Sequence, residues 1–441
     1  MKKSLIRLIL VTVIAFLLGF MLPDFLGFSP DGAKAAVTML PTRLAHITGT
    51  PPMRAGSYLP LIATYSRVMN DMNEHYYGKV DIKEVTYDAI RGALASLGDP
   101  FTRFIDPEAF KTMQEENQGN FTGIGALLES TDNGEVAVKE PLPDTPAIKA
   151  GVKSGDVITE VDGKSVVNMD IDDVVKLIRG EENTTVKLTV RRGEEHIVIP
   201  IVRKVVQTQT VTFKMQDEKD KIGYIRLYQF NEQADTKFTE AYNKLEKQGM
   251  KALIFDLRGN PGGLLDMAVR IGSDFVKKGD IVIIRDRGGK ETAIPARSDR
   301  TAVTCPVVVL VDGSSASASE IVSGAIKDHK MGTLVGEKTF GKGLVQTLLP
   351  MIDGSATAIT TSKYLTPNKI DIHKKGIEPD IKVKLGDDFD NDKPETDDQL
   401  QAGLTALRVQ MKKLPASALD KYKQKEEKKD AEKEDKKEDK K

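Results

Sequence analysis

The sequence predicts a multidomain protein: an α/β unit on a mostly parallel sheet, preceded by a compact β-rich unit and by a helical N-terminal region. Three observations predict it. From about Val211 onward, short apolar runs alternate with helical patterns, the order that produces parallel sheets. Between about Gln118 and Arg203, period-two alternation and turn dipeptides dominate instead. Ahead of both, Leu59–Asn73 and Ile82–Leu97 repeat apolar residues at helical spacing. A chain of 441 residues that is 40% hydrophobic has enough apolar surface for more than one core. Its net charge of −1 gives no global basic field, so nucleic acid is not an expected partner. The one cysteine, Cys305, has no partner for an internal disulfide and reads as a small hydrophobe before a strand.

The N-terminus speaks to location. Lys2, Lys3 and Arg7 precede the apolar segment Leu8–Leu22, the charge order of an exported chain. Ala33-Lys34-Ala35 offers a small-x-small cleavage site some distance downstream. Residues 1–36 therefore read as a signal peptide or an N-terminal membrane anchor, and both remain open. Either one places the rest of the chain outside the cytoplasm, in a periplasm or on the outer face of the membrane. Residues 37–117 follow as a linker and helical region, suited to packing or self-association. A homo-oligomer and an adaptor protein are both compatible with it.

Residues 118–203 carry their own signature. Phe121-Thr-Gly-Ile-Gly125 opens a strand, and Asp132-Asn-Gly134 is a hairpin turn. An amphipathic helix presents Ile171, Val174, Val175 and Ile178, and then Val186, Leu188 and Val190 alternate against Ile197, Ile199 and Ile201. With the segment AGVKSGDVITEVDG, this unit resembles a PDZ domain. The resemblance implies that an extended peptide adds as a strand. Backbone N–H groups of Gly123, Ile124 and Gly125 would then hold its terminal carboxylate.

The unit at 204–386 places two glycine- and serine-rich turns after apolar strands: DLRGNPGG after Lys251–Asp256 and VDGSSASASE after Val307–Val311. Ligands collect at such strand ends. The second turn offers serines at a helix N-terminus, where free N–H groups and the helix dipole suit a developing oxyanion. Ser317-Ala-Ser-Glu320 also fits a capping box, and both readings stand at this point. No H-E-x-x-H, G-x-S-x-G or G-x-x-x-x-G-K-[ST] motif is present. Of five histidines, only His329 and His373 fall where they could serve a core serine, and both lie among lysines. A lysine base fits better. Lys342 lies between Gly341 and Gly343, so burial could depress its pKa, and Gln346 would share its strand face.

The segments DLRGNPGGLL, VDGSSASASEIVSGAIKD and GEKTFGKGLVQ, in that order after a PDZ-like unit, resemble the C-terminal processing (tail-specific) peptidases. YDAIRGALASLGDPFTRFIDPE belongs to the same likeness, which runs from about Tyr87 to Leu385. It implies Ser317 as nucleophile, Lys342 as base and Gln346 as its partner. Gly263 and Ala318 N–H groups would form the oxyanion hole, and Asp328 would support the structure. The implied activity is endoproteolysis near protein C-termini, on protein or peptide substrates with accessible apolar ends. No metal or other cofactor is implied. Residues 387–441 complete the chain with a helix at about Leu400–Met411 and a tail of Lys, Glu and Asp that cannot bury a core.

Overall fold

The computed structural model describes residues 55–131, 133–300, 303–386, 389–390, 393–420 and 422. The export or anchor segment and most of the charged tail lie outside the described residues, among which no helix is long and apolar enough to cross a membrane. The described residues divide into two compact units, one ending at Gly92 and the other beginning at Ala93. In the first, α1 (Ala55–His75) leaves Leu61, Ile62, Tyr65 and Val68 exposed. The second helix is α2 (Ile82–Ala95).

The larger unit opens with β1 (Arg103–Ile105) and α3 (Pro107–Gln118). Asp106 caps α3, its carboxylate accepting from the Ala109 N–H at 2.9 Å. The β-rich part follows: β2 (Asn120–Gly123), β3 (Ala126–Ser130), β4 (Val136–Pro141), α4 (Pro146–Ala150), β5 (Val157–Val161), β6 (Lys164–Ser165), α5 (Ile171–Ile178), β7 (Thr185–Arg192), β8 (Glu195–Val202) and β9 (Lys204–Gln207). Its sheet runs β3-β4-β5-β7-β8, with β6 on β5 and β3 at an edge. The alternation read in the sequence sets the register, with Val186 opposite Ile201, Leu188 opposite Ile199 and Val190 opposite Ile197. Val186, Leu188 and Val190 are fully buried with Val138 and Val174. A separate two-stranded ladder joins β2 to β9, with Asn120 opposite Gln207.

The α/β part comprises β10 (Val211–Asp217), β11 (Ile222–Leu227), α6 (Ala234–Lys247), β12 (Ala252–Asp256), α7 (Leu265–Phe275), β13 (Asp280–Asp286), β14 (Glu291–Pro295), β15 (Val307–Val311), α8 (Ala318–Asp328), β16 (Thr333–Gly336), β17 (Leu344–Pro350), β18 (Ala356–Leu365), β19 (Ile381–Lys382) and α9 (Asp398–Gln410). One six-stranded sheet has the order β10-β11-β12-β15-β16-β19. Its pairings are parallel except β10 with β11. Strands β12 and β15 are buried on both faces, which explains their unbroken apolar runs. Leu253, Phe255, Val307 and Val309 face α6, α7 and α8, and Ile254, Val308 and Leu310 face α9. Not every strand joins this sheet. The Ile281–Arg285 and Ala356–Thr361 runs fall in a second, antiparallel sheet of order β1-β18-β13-β14, with β17 also on β18. Period-two patterns report burial and not partner, so sequence alone merges the two sheets.

A buried polar cluster fastens α9 to the end of β12. Arg258 meets the fully buried Asp256 at 2.6 Å and Asp397 at 2.9 Å. It also donates to Gln399 Oε1, while Tyr224 donates to Asp256. Burial opposes ionisation of Asp256, but the Arg258 guanidinium prevails and holds its carboxyl below the usual range. Asp397 in turn caps α9 through the Leu400 N–H. We expect Arg258→Ala, which leaves Asp256 charged and unpaired in the interior, to cost about 3–5 kcal/mol. The readout is a lowered midpoint in denaturant unfolding.

Candidate active site

Both strand-end turns identified in the sequence lie side by side, because β12 and β15 are parallel neighbours. Their backbones are laced together. Asn260 is fully buried, and its carbonyl accepts from the Ala316 N–H and the Ser319 hydroxyl. Asp312 accepts from the Gly259 N–H, and Ser315 donates to the Leu257 carbonyl. Gly262 lies so close to the serine turn that an added Cβ would sit 2.7 Å from Ala316 O and 2.7 Å from Ser317 Cβ, at a φ of 105°. Only glycine tolerates both conditions.

Ser317 is the N-cap of α8 and has φ 55° and ψ −112°, a conformation that costs a non-glycine residue about 1–3 kcal/mol. Its hydroxyl meets the Tyr364 hydroxyl at 2.9 Å. The glutamate half of the predicted capping box is present, with Glu320 accepting the Ser317 backbone N–H at 3.0 Å. Glu320 does more than cap. Fully buried, it accepts through the same oxygen from the Lys342 N–H at 2.8 Å, and through the other from the Thr339 hydroxyl at 2.6 Å and the Gly341 N–H at 2.8 Å. One carboxylate thus joins the serine turn to the Gly-Lys-Gly segment.

Lys342 is half-buried in the coil before β17. Its flanking glycines admit another chain segment: added Cβ atoms would lie 2.9 Å from Gly376 N at Gly341 and 2.8 Å from His373 N at Gly343. The lysine Nζ sits 5.1 Å from the centre of the Phe101 ring. Burial, and then the positive charge of Arg103 on β1, push its pKa below the ordinary lysine value, with Glu320 acting the other way. Among the described residues Nζ makes no hydrogen bond to Ser317 or to Gln346. Gln346 does not follow Lys342 along one regular strand, because β17 starts at Leu344 and carries a bulge between Val345 and Gln346. Its Nε2 is buried without a hydrogen-bond partner among the described residues.

The remaining predicted residues occupy several places. Ala318 begins α8, and the Phe230–Gly263 bridge uses the Gly262 carbonyl and the Leu264 N–H, leaving the Gly263 N–H outside that bridge. Asp328 lies at the opposite end of α8 from Ser317, where it accepts from the Asn368 N–H at 2.8 Å. His329 is engaged with the Asp280 carbonyl, and His373 packs edge-on against Phe101. Gly123 ends β2, while Ile124 and Gly125 enter β3 with their carbonyls accepting from Ala147 and Leu142. Tyr364, Phe101 and Arg103 escaped the sequence reading, because no local pattern distinguishes Tyr364 and Arg103 from ordinary sheet residues or Phe101 from an ordinary turn residue. We expect Glu320→Gln, which turns an amide NH2 toward two of the donors, to cost about 2–4 kcal/mol in thermal unfolding. Peptidase activity should fall more steeply than folded fraction.

A family model for peptidase family S41 matches residues 221–383, and one for the PDZ domain matches residues 138–192. The probable CtpA-like serine protease of Staphylococcus haemolyticus (strain JCSC1435) is 40% identical over 314 residues, which cover 71% of this chain and 62% of that protein. The carboxy-terminal processing protease CtpA of Bacillus subtilis (strain 168) is 38% identical over 357 residues, covering 80% and 75%. Among solved structures, the photosystem II D1 C-terminal processing protease is 35% identical, covers 74% of this chain and 87% of its own, and gives a TM-score of 0.47. With the PDZ segment preceding the S41 segment and identity extending over most of the chain, this protein belongs to the carboxy-terminal processing proteases, a family of serine-type peptidases.

Proposed function

We propose that this chain is an endopeptidase that cleaves protein substrates near their C-termini, with Ser317 as nucleophile and Lys342 as general base. The observation that carries the proposal is the strained Ser317 at a helix N-terminus, tied through Glu320 to the backbone of a lysine whose pKa is depressed. Neutral Lys342 takes the Ser317 proton as Oγ attacks the carbonyl carbon. The proton then passes to the leaving amine as the C–N bond breaks. Water, deprotonated by the same lysine, releases the acyl group. Proton transfer requires Nζ to reach Oγ, a movement that the lysine's flexible stem permits. Gln346, whose Nε2 has no hydrogen-bond partner among the described residues, orients the amine in this scheme. The Gly263 and Ala318 N–H groups receive the oxyanion. Asp328 supports the turn at Asn368.

The edge strand β3 beside α5 offers the groove for a substrate's C-terminal residues, with the carboxylate at Gly123, Ile124 and Gly125. Export through the N-terminal segment places this activity outside the cytoplasm, with a retained segment acting as a membrane tether. A homo-oligomer or an adaptor protein fits the same scheme.

Incubation with an unstructured protein ending in apolar residues tests the reading. Wild type should trim it near the C-terminus, and Ser317→Ala and Lys342→Ala should each lose at least about 1,000-fold. Activity comparable to wild type in either variant sinks the assignment. The pH dependence is a separate test. Activity should rise with pH as Lys342 loses its proton, at a pH below the ordinary lysine range. Arg103→Gln removes a positive charge that disfavours the ammonium, so the lysine pKa should rise and the rising limb should move to higher pH.

A further inference from the structure

We infer that Tyr364 is a further catalytic residue, whose hydroxyl donates a hydrogen bond to Ser317 Oγ and eases departure of that oxygen from the acyl-enzyme. The inference rests on Ser317 being the nucleophile. Tyr364 is 5% exposed and belongs to the core beneath α8. Its ring is fixed by its strand, since Tyr364 sits on β18 opposite Ile284 of β13 and donates its backbone N–H to the Gly343 carbonyl. Tyrosine and base are thus carried by adjoining backbone, while the tyrosine hydroxyl stands 2.9 Å from the nucleophile.

The phenol has reason to be the donor in that bond. A phenol has one proton to give, and a buried donor without an acceptor costs about 1–3 kcal/mol. Among the described residues, Ser317 Oγ is the protein atom that the hydroxyl meets. Either hydroxyl can donate across this contact, and in the arrangement inferred the phenol is donor and Oγ acceptor, which keeps the serine's own proton available to Lys342. Burial pushes the phenol up to about 12, so it keeps its proton at working pH.

A donor on Oγ matters most when Oγ leaves. During attack the bond draws electron density from the nucleophile. During deacylation, water adds to the ester carbon, the C–Oγ bond breaks and its electron pair moves to Oγ. The Lys342 ammonium then returns a proton to that oxygen. The tyrosine keeps its own proton throughout and stabilises the charge on the departing oxygen, in the same manner as an oxyanion donor.

The test uses the full-length protein, the p-nitrophenyl ester of a short apolar peptide, and a fluorophosphonate that stops after modifying serine. Tyr364→Phe should still be labelled at Ser317 by the fluorophosphonate. With the ester it should give a rapid burst followed by steady turnover roughly 10- to 100-fold below wild type, and mass spectrometry should find the acyl-enzyme accumulated. Steady turnover equal to wild type with no accumulation overturns the inference. Labelling or turnover retained by Ser317→Ala overturns the nucleophile itself, and the inference with it. If Tyr364→Phe does not fold, 3,5-difluorotyrosine at position 364 keeps the ring and the hydroxyl but makes the phenol more acidic. Deacylation should then fail as that phenol ionises, at a pH where wild type is still level, and a profile identical to wild type overturns the inference.

Discussion

The site depends on a single buried carboxylate. Glu320 receives four hydrogen bonds from four residues in two separate segments of the chain and carries no exposed atom through which water could replace them. Two of its donors are the backbone N–H groups of Ser317 and Lys342, and both reach the same oxygen. Nucleophile and proposed base are thereby held in register by backbone, which leaves both side chains free of restraint from the staple itself. A negative charge in that place raises the lysine pKa, while burial and Arg103 lower it. The net effect lowers the lysine pKa and so eases formation of the neutral amine, the form that can accept a proton.

A second constraint is the close approach of chain segments. Asn260, Asp312 and Ser315 cross-link the two strand-end turns, and Gly262 lets them touch. The strained φ and ψ of Ser317 persist because this lacing leaves no room to relax. On the other side, the turn at 372–376 presses against the Gly-Lys-Gly backbone, and Asp328 anchors its approach through Asn368. The glycines beside Lys342 therefore serve that contact, in addition to any burial of the amine.

The class of fold and the family were legible from residues that act locally. Unbroken apolar runs at β12 and β15 announce strands buried on both faces, and the β7–β8 alternation gives its own register. Helix α9 was legible as a helix, but its packing on the core sheet was not, because an acidic stretch separates it from the strands it covers. What sequence could not supply are meetings between distant segments. Tyr364 lies 47 positions from Ser317 and reads as one more aromatic in an alternating strand. Glu320 reads as a cap, since three of its four donors lie about twenty positions away. The bulge at Gln346 leaves no mark in composition, and a three-residue strand such as β1 is too short to carry a period.

Strand β1 pairs with β18, Arg103 opposite Ala358 and Ile105 opposite Ala356, although the whole β-rich part intervenes in the sequence. The peptidase portion is therefore discontinuous along the chain, and a fragment beginning at residue 204 would lack both the ring over Lys342 and the charge of Arg103. The β-rich part enters and leaves through one two-stranded stalk, where Asn120 faces Gln207. Its two ends are adjacent in space. Recombination could exchange this part between relatives by paired cuts at the stalk and leave the surroundings of Lys342 untouched.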